Sequence, residues 1–355
     1  MNQRSLAFLT RLLDSPGPSG FETAPARVWR EEATKFAAQI STDVSGNSVA
    51  AINPDRHPRI MLAGHIDEIG LMIVHVDDDG YLYFSTIGGW DPQVLVGQRA
   101  LIASKDKQVD GVIGKKAVHT LETEERDQVS KISSLWIDIG AKSKKDALRR
   151  IRVGDPAVLA APTVRLPNGR LISRSIDNRI GAFVVLEALR ILASRRPRAG
   201  VYAVATSQEE IGWSGGGART SATRIDPDVA IVVDVCHATD HPDADKKRHG
   251  DFKLGGGPVI SRGSAANPRV VEMLVETAEA QRIPYSLAAA PSDTGTDADA
   301  IFSARQGIAT GLVSIPNRYM HSPNEMADIA DLERAAKLLA AFARRVTGKT
   351  DFTPQ

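Results

Sequence analysis

Apolar runs that end in metal-binding residue types constrain this chain more than any other feature of its sequence. Ile60-Met-Leu-Ala-Gly-His65-Ile-Asp67 stops at a histidine, with a carboxylate two residues on. Val201-Tyr-Ala-Val-Ala-Thr-Ser-Gln-Glu209-Glu210 and Val229-Ala-Ile-Val-Val-Asp234 stop at acids, and His321 follows Leu312-Val-Ser-Ile-Pro-Asn-Arg-Tyr-Met. In an open α/β sheet, ligands bind in the crevice beyond the carboxyl ends of the strands, so polar groups at these run ends share one destination. Asp177 arrives by another route, just before a helix.

Hydrophobic periodicity divides the chain into three stretches. Leu6, Leu9, Leu12 and Leu13 are spaced for a helix over about 4–14, which stops at Ser15-Pro-Gly-Pro-Ser-Gly20. A second helix is expected over about 22–39. A hairpin with its turn at Ser45-Gly46-Asn47 then leads into the Ile60 strand. From about 68 to 165 the pattern becomes short β-like pieces punctuated by glycine, spaced as in a small barrel. Within it, residues 119–128 are polar and without core-forming periodicity, and read as a mobile loop. Beyond 170, helices alternate with strands: 178–195, 267–282 and 332–346 are helical, the last with Asp331 as its N-cap. The expected fold is α/β: one domain from 1–67 and 166–355, with a mixed central sheet flanked by helices, interrupted by a β-rich insert at 68–165.

A chain of 355 residues can bury a large core. With 44 basic and 43 acidic residues its net charge is +1, which gives no electrostatic case for nucleic acid or an anionic membrane. No stretch approaches the roughly 18–20 apolar residues a membrane span needs. Cys236 is the sole cysteine, so no intramolecular disulfide forms and a reducing, cytoplasmic setting is expected. Cys236 itself reads as a small buried residue at a strand end.

Two neighbouring divalent ions need a bridging carboxylate plus histidine or carboxylate ligands on each. His65, Asp177, Glu210, Asp234 and His321 supply two imidazoles and three carboxylates, and nitrogen and oxygen donors without thiolate suit Zn, Co or Mn. Singly, each has a plainer alternative: a satisfied strand-end histidine, a helix cap, a loop acid. Jointly those alternatives must all hold at once. His75, His119, His241 and His249 read as bystanders, and His237 as a bystander close to Asp234.

Gly64-His65-Ile-Asp67-Glu-Ile-Gly70, Gly88-Gly-Trp-Asp-Pro-Gln93, Asp177-Asn-Arg-Ile-Gly181, Gln208-Glu-Glu-Ile-Gly212, Val233-Asp-Val235, Gly295-Thr-Asp-Ala-Asp-Ala300 and Arg318-Tyr-Met-His-Ser-Pro323 occur in this order. Together they resemble the M42 family of metallo-aminopeptidases, over about residues 5–345. The resemblance implies a zinc-peptidase-like catalytic domain with an inserted β-barrel used in dimerisation, and dimers assembling into a hollow tetrahedral dodecamer that admits peptides. It implies that Asp177 bridges two divalent ions, with Glu210 and His321 on one and His65 and Asp234 on the other. Asp67 would orient His65, and Glu209 would be the general base. After Gly212 the chain reads Trp213-Ser-Gly-Gly-Gly217 where many relatives have Leu-Arg-Gly, a departure that leaves the ligands intact.

Peptide hydrolysis at the N-terminal residue is therefore the expected reaction. A carboxypeptidase or amide deacylase with the same two-ion core competes with it, and would need an arginine such as Arg179, Arg262 or Arg318 to hold a substrate carboxylate. A two-carboxylate glycosidase has no use for the histidines. A non-catalytic scaffold would bind no metal.

Overall fold

The computed structural model describes every residue except Asp106, Trp213, Ser214 and Gln355, and only the backbone of Glu125. Helices α1 (Gln3–Asp14) and α2 (Thr23–Ala33) precede strands β1 (Gln39–Thr42), β2 (Ser48–Ile52) and β3 (Arg59–His65). Next come β4 (Gly70–Val76), β5 (Leu82–Ile87), β6 (Arg99–Ser104), β7 (Lys107–Gly114), α3 (Thr123–Arg126), β8 (Trp136–Asp138), α4 (Lys144–Arg150) and β9 (Pro156–Leu159). The chain continues with β10 (Val164–Arg165), β11 (Arg170–Ser173), α5 (Ile176–Ser194), β12 (Gly200–Thr206), α6 (Gly216–Ile225), β13 (Val229–His237) and α7 (Lys246–His249). It ends with β14 (Val259–Arg262), α8 (Pro268–Ala280), β15 (Ser286–Ala289), α9 (Asp297–Phe302), β16 (Ala309–Asn317), β17 (Glu325–Asp328) and α10 (Ile329–Arg345).

Eight strands form the central sheet in the order β1-β2-β12-β3-β13-β16-β14-β15. Its middle strands β12, β3, β13 and β16 run parallel, in the registers Thr206↔His65, Val232↔Ala63 and Asp234↔Ser314. All four carboxyl ends therefore open on one edge. Both sheet faces are covered, which is why these strands read as continuous apolar runs rather than alternating ones. Successive residues go to opposite layers: Ile60, Leu62, Ile231 and Val233 pack into the core with α1, α5 and α10, while Met61, Ala63, Ala230 and Val232 pack into the core beneath α6 and α9.

The insert is a closed barrel, β4-β5-β8-β7-β6-β9, filled by its own core of Leu71, Ile73, Phe84, Ile102, Ile113 and Ile137 among others. β10 pairs with β11, and β11 with β17, in a separate small sheet. The mixed α/β sheet with an inserted barrel is the architecture expected from the sequence.

Three local expectations need correction. The second helix stops at Ala33, and Gln39 already begins β1. Residues 119–128 include the end of a 3-10 turn, Val118–Thr120, and the one-turn helix α3. The N-cap of α10 is Asp328, whose side chain accepts the Ala330 N–H, while Asp331 lies inside the first turn and accepts the N–H groups of Gly255 and Gly257.

One close approach sets the position of the later site. A Cβ on Gly64 would lie 2.5 Å from the Gly181 backbone carbon, so β3 and α5 meet backbone to backbone just before His65 and just after Asp177. Gly64→Ala forces these elements apart. The expected loss is about 1–3 kcal/mol of unfolding free energy, the usual cost of overpacking. Chemical denaturation measures it, and an unchanged midpoint would show that the contact is not tight.

Candidate active site

Each strand end delivers a different group to the same edge. His65 closes β3 and is 1 % exposed. Glu209 and Glu210 follow β12 by three and four residues, and Asp234 stands near the end of β13. Asp177 interrupts the start of α5 with non-helical backbone (φ −77°, ψ 110°). His321 lies between β16 and β17, at φ +59°.

The side chains converge. His65 Nε2 is 3.2 Å from Asp177 Oδ1, 3.7 Å from Glu209 Oε2 and 4.0 Å from Asp234 Oδ1. His321 Nε2 is 3.5 Å from both Asp177 Oδ2 and Glu210 Oε2. The two oxygens of Asp177 thus face different histidines. Behind His65, Asp67 Oδ1 lies 3.3 Å from Nδ1, an arrangement that leaves Nε2 turned toward the acids. All seven residues singled out in the sequence are in this one cluster.

Two sets of donor atoms lie within 4.8 Å of one another: His65, Asp177 and Glu210, and His65, Glu209 and Asp234. These triads place Glu209 among possible donors and differ from the partition that the family resemblance implies. The orientation of Asp177, one oxygen toward each histidine, is the better guide, because it concerns which atoms point where rather than proximity alone.

The electrostatics are those of a site short of positive charge. Burial, aided by neighbouring acids, raises the carboxyls of Glu209, Glu210 and Asp234 well above the ordinary range, although His65 opposes the rise. Burial likewise lifts Asp297, which also lines the site, to about 6. At Asp177 burial opposes the charge, yet hydrogen bonds from His321 and His65 hold it well below the usual range. Burial works against charge on His65 too, but Asp67, Glu209 and Asp177 raise it well above its usual value. Glu210 Oε1 is buried without a hydrogen-bond partner. Crowded carboxylates, an orphaned oxygen and imidazole nitrogens form a donor set that fits divalent cations. Cys236 does not join it: burial, with Asp234 and Asp331 nearby, pushes its thiol up to about 12.

Backbone N–H groups fix the loop that carries the paired glutamates. Asn47 Oδ1 accepts from Ser207 at 3.0 Å, Glu22 Oε1 from Gln208 at 3.1 Å and Asp67 Oδ2 from Glu210 at 3.1 Å. Opposite them, Glu325 accepts from the N–H groups of both Asp177 and His321, each at 2.8 Å. Glu22 and Glu325 were not singled out in the sequence, and Asn47 was read there only as part of a hairpin turn. Asp297, quoted there only within a motif, accepts the Thr206 hydroxyl.

Two adjoining cavities open on the cluster. One of ≈ 570 Å³ is lined by His65, Asp177, Asp234, His321 and apolar groups such as Phe252 and Leu312. The other, ≈ 690 Å³, shares Glu209 and Glu210 and adds Asp297, Asp299 and Arg219. Trp213 and Ser214, where the chain departs from many relatives, lie outside the described residues. The arginines considered for a substrate carboxylate are engaged elsewhere or away from both walls. Arg179 is fully buried, bonded to Glu68 at 2.8 Å and to carbonyls of Leu12, Leu13, Ser15, Gly17 and Ile66. Arg318 is held by Asp240 at 2.7 Å, and Arg262 lines neither cavity. Among the described residues no helix is long and apolar enough to cross a membrane.

Comparison with known proteins places the chain in a family. The model of the family described as M42 glutamyl aminopeptidase matches residues 46–338. The lysyl aminopeptidase of Pyrococcus furiosus is 36% identical over 350 residues, 98% of each chain. The TET aminopeptidase of a marine sediment Thaumarchaeota archaeon superposes with a TM-score of 0.92 at 34% identity, again over 98% of each chain. The Pyrococcus horikoshii TET1 peptidase, which can assemble into a tetrahedron or a large octahedral shell, gives 0.84 at 31% identity, over 96% of this chain and 100% of its own. By a family match over most of its length and relatives of this identity from end to end, the chain belongs to the M42 family and is an aminopeptidase, a hydrolase of peptide bonds.

Proposed function

We propose that this aminopeptidase works with two divalent ions, bridged by Asp177, with Glu210 and His321 completing one ligand set and His65 and Asp234 the other. The observation that carries the reading is the split orientation of Asp177, with one oxygen 3.2 Å from His65 Nε2 and the other 3.5 Å from His321 Nε2. Zn is the first choice, with Co and Mn equally compatible with nitrogen and carboxylate donors. Bound there, such ions would supply Lewis acidity and lower the pKa of water from 15.7 towards about 7.

The chain's own groups do the remaining work. Asp67 holds the His65 ring so that Nε2 faces the cluster. Glu209, whose carboxyl oxygen lies beside the ligands without completing the split pair around Asp177, acts as general base. It takes a proton from the attacking water as oxygen bonds to the scissile carbonyl carbon. As the C–N bond breaks, the same proton passes to the leaving nitrogen. The position of Glu209 supports this role, because its side chain lies 3.7 Å from His65 Nε2 and lines both cavities that open on the cluster.

The barrel insert, with residues 1–67 and 166–355 as the catalytic part, would pair subunits into dimers that assemble into a dodecamer acting on peptides. The lone cysteine and the absence of a long apolar helix among the described residues support a cytoplasmic setting.

Two outcomes test these statements. Glu209→Gln should leave the bound-metal content unchanged and lower kcat by about 10²–10⁴-fold, the usual contribution of a positioned base. Wild-type turnover at equal metal content would remove Glu209 from that role. In gel filtration the purified protein should elute far above its 38.1 kDa subunit mass. Elution as monomer alone would remove the assembly.

A further inference from the structure

Two buried carboxyl groups stand behind the cluster, and each gathers two of the segments that carry it. Asp67 faces His65 Nδ1 with Oδ1 and accepts the Glu210 N–H with Oδ2. Glu325 does the equivalent on the opposite side: Oε2 accepts the Asp177 N–H and Oε1 the His321 N–H, both at 2.8 Å. Glu325 is 1 % exposed. As the first residue of β17 it is held opposite Ser173 on β11, three residues before α5 begins at Ile176 and four before Asp177. Its backbone is therefore anchored to the strand that leads into the Asp177 turn.

Both segments it grips have uncommon backbone. Asp177 departs from helical geometry within the first turn of α5, and His321 sits at φ +59°, where residues other than glycine are infrequent. A left-handed conformation such as that of His321 persists where the surroundings over-determine it. A carboxyl group that accepts one N–H with each oxygen is such a determinant, because it fixes the two backbones relative to each other. Arg318 and Met326, paired through their backbone in both directions, close the base of the same loop.

We infer that Glu325 is the positioning residue for one half of the metal centre: by holding Asp177 and His321 in register, it sets the affinity of the ion bound by Asp177, Glu210 and His321. The inference rests on the two-ion reading given above. The other half shares Asp177, but its own two ligands have independent supports. Asp67 fixes His65, and Asp234 Oδ1 accepts the Val235 N–H at 2.7 Å. Neither touches Glu325.

The test is equilibrium metal binding by the full-length protein, stripped and then dialysed against zinc buffers, with the visible spectrum of the Co(II) form as a second readout. In Glu325→Gln the amide oxygen can accept only one N–H, while the amide nitrogen confronts the other. Asp331→Asn is the control. Asp331 is also a buried double acceptor, of the Gly255 N–H at 2.6 Å and the Gly257 N–H at 2.8 Å, and it contacts none of the ligands. Wild type and Asp331→Asn should bind two ions with the same pair of affinities. Glu325→Gln should weaken the ion held with Glu210 and His321 by about 10–100-fold, the usual effect of losing a partner that orients a ligand, and the other ion, which shares only Asp177, by clearly less. The Co(II) spectrum should change most for the first ion. If Glu325→Gln does not fold by circular dichroism, Glu325→Asp, which keeps the charge on a shorter arm, should show a smaller loss at the same ion. Wild-type affinities in the folded Glu325 variant, equal weakening of both ions, or the same loss in Asp331→Asn would each overturn the inference. Fewer than two ions on the wild type would overturn the two-ion reading itself, and that result is read before any variant is compared.

Discussion

Six carboxyl groups, those of Asp67, Asp177, Glu209, Glu210, Asp234 and Asp297, are crowded into one desolvated edge of the sheet with two imidazoles, and the rest of the site follows from that constraint. Charges of one sign in a poorly solvated place repel strongly and either take up protons or require cations. Asp177 and Asp67, the two closest to His65 at 3.2 and 3.3 Å, stay below their ordinary range despite burial, whereas the other four are driven up. A fold has no stability reason to assemble such a cluster. Its chemistry, two nitrogen donors and a surplus of oxygen donors beside two cavities, is that of a metallopeptidase centre.

Holding such a cluster together takes rigid elements on every side. Parallel strands bring His65, Asp234 and the Glu209–Glu210 pair to the same level, and the glycine contact between β3 and α5 sets Asp177 beside His65. Buried side chains then accept backbone N–H groups from the loops: Asn47, Glu22 and Asp67 on the glutamate side, Glu325 on the histidine side. One residue farther out, Glu68 joins Arg174 and Arg179 in a buried ion pair that ties α1, the β3 exit and α5 together. Active-site geometry held by supports of this kind is pre-organised rather than assembled on binding.

The candidate site residues at strand ends were legible because a parallel strand buried on both faces makes a continuous apolar run, and a charge at its end is conspicuous. His321 was harder to place, four residues beyond β16, since its position depends on a loop folded back through the Arg318–Met326 pair. Glu325, Glu22 and Asn47 carry no sequence signal of their own. Their work is to accept backbone N–H groups, and for Glu325 and Asp177 the partners are 148 residues apart. The over-long second helix has a similar cause: Phe36 and Ala37 pack partly against the core from beyond the helix end, so apolar spacing continues where the helix does not. Asp331 resembled an N-cap by position, but Asp328, three residues earlier, has the extended backbone a cap requires.

On the function proposed above, this cluster binds divalent metal and uses it to release N-terminal residues. The most direct measurement is amino-acid release from matched peptides with free and acetylated N-termini, by enzyme stripped of metal and then reloaded with Zn, Co or Mn. The prediction is no release by the stripped protein, and restored release from free N-termini alone after reloading. Release from acetylated peptides, or release that does not depend on metal, would contradict it.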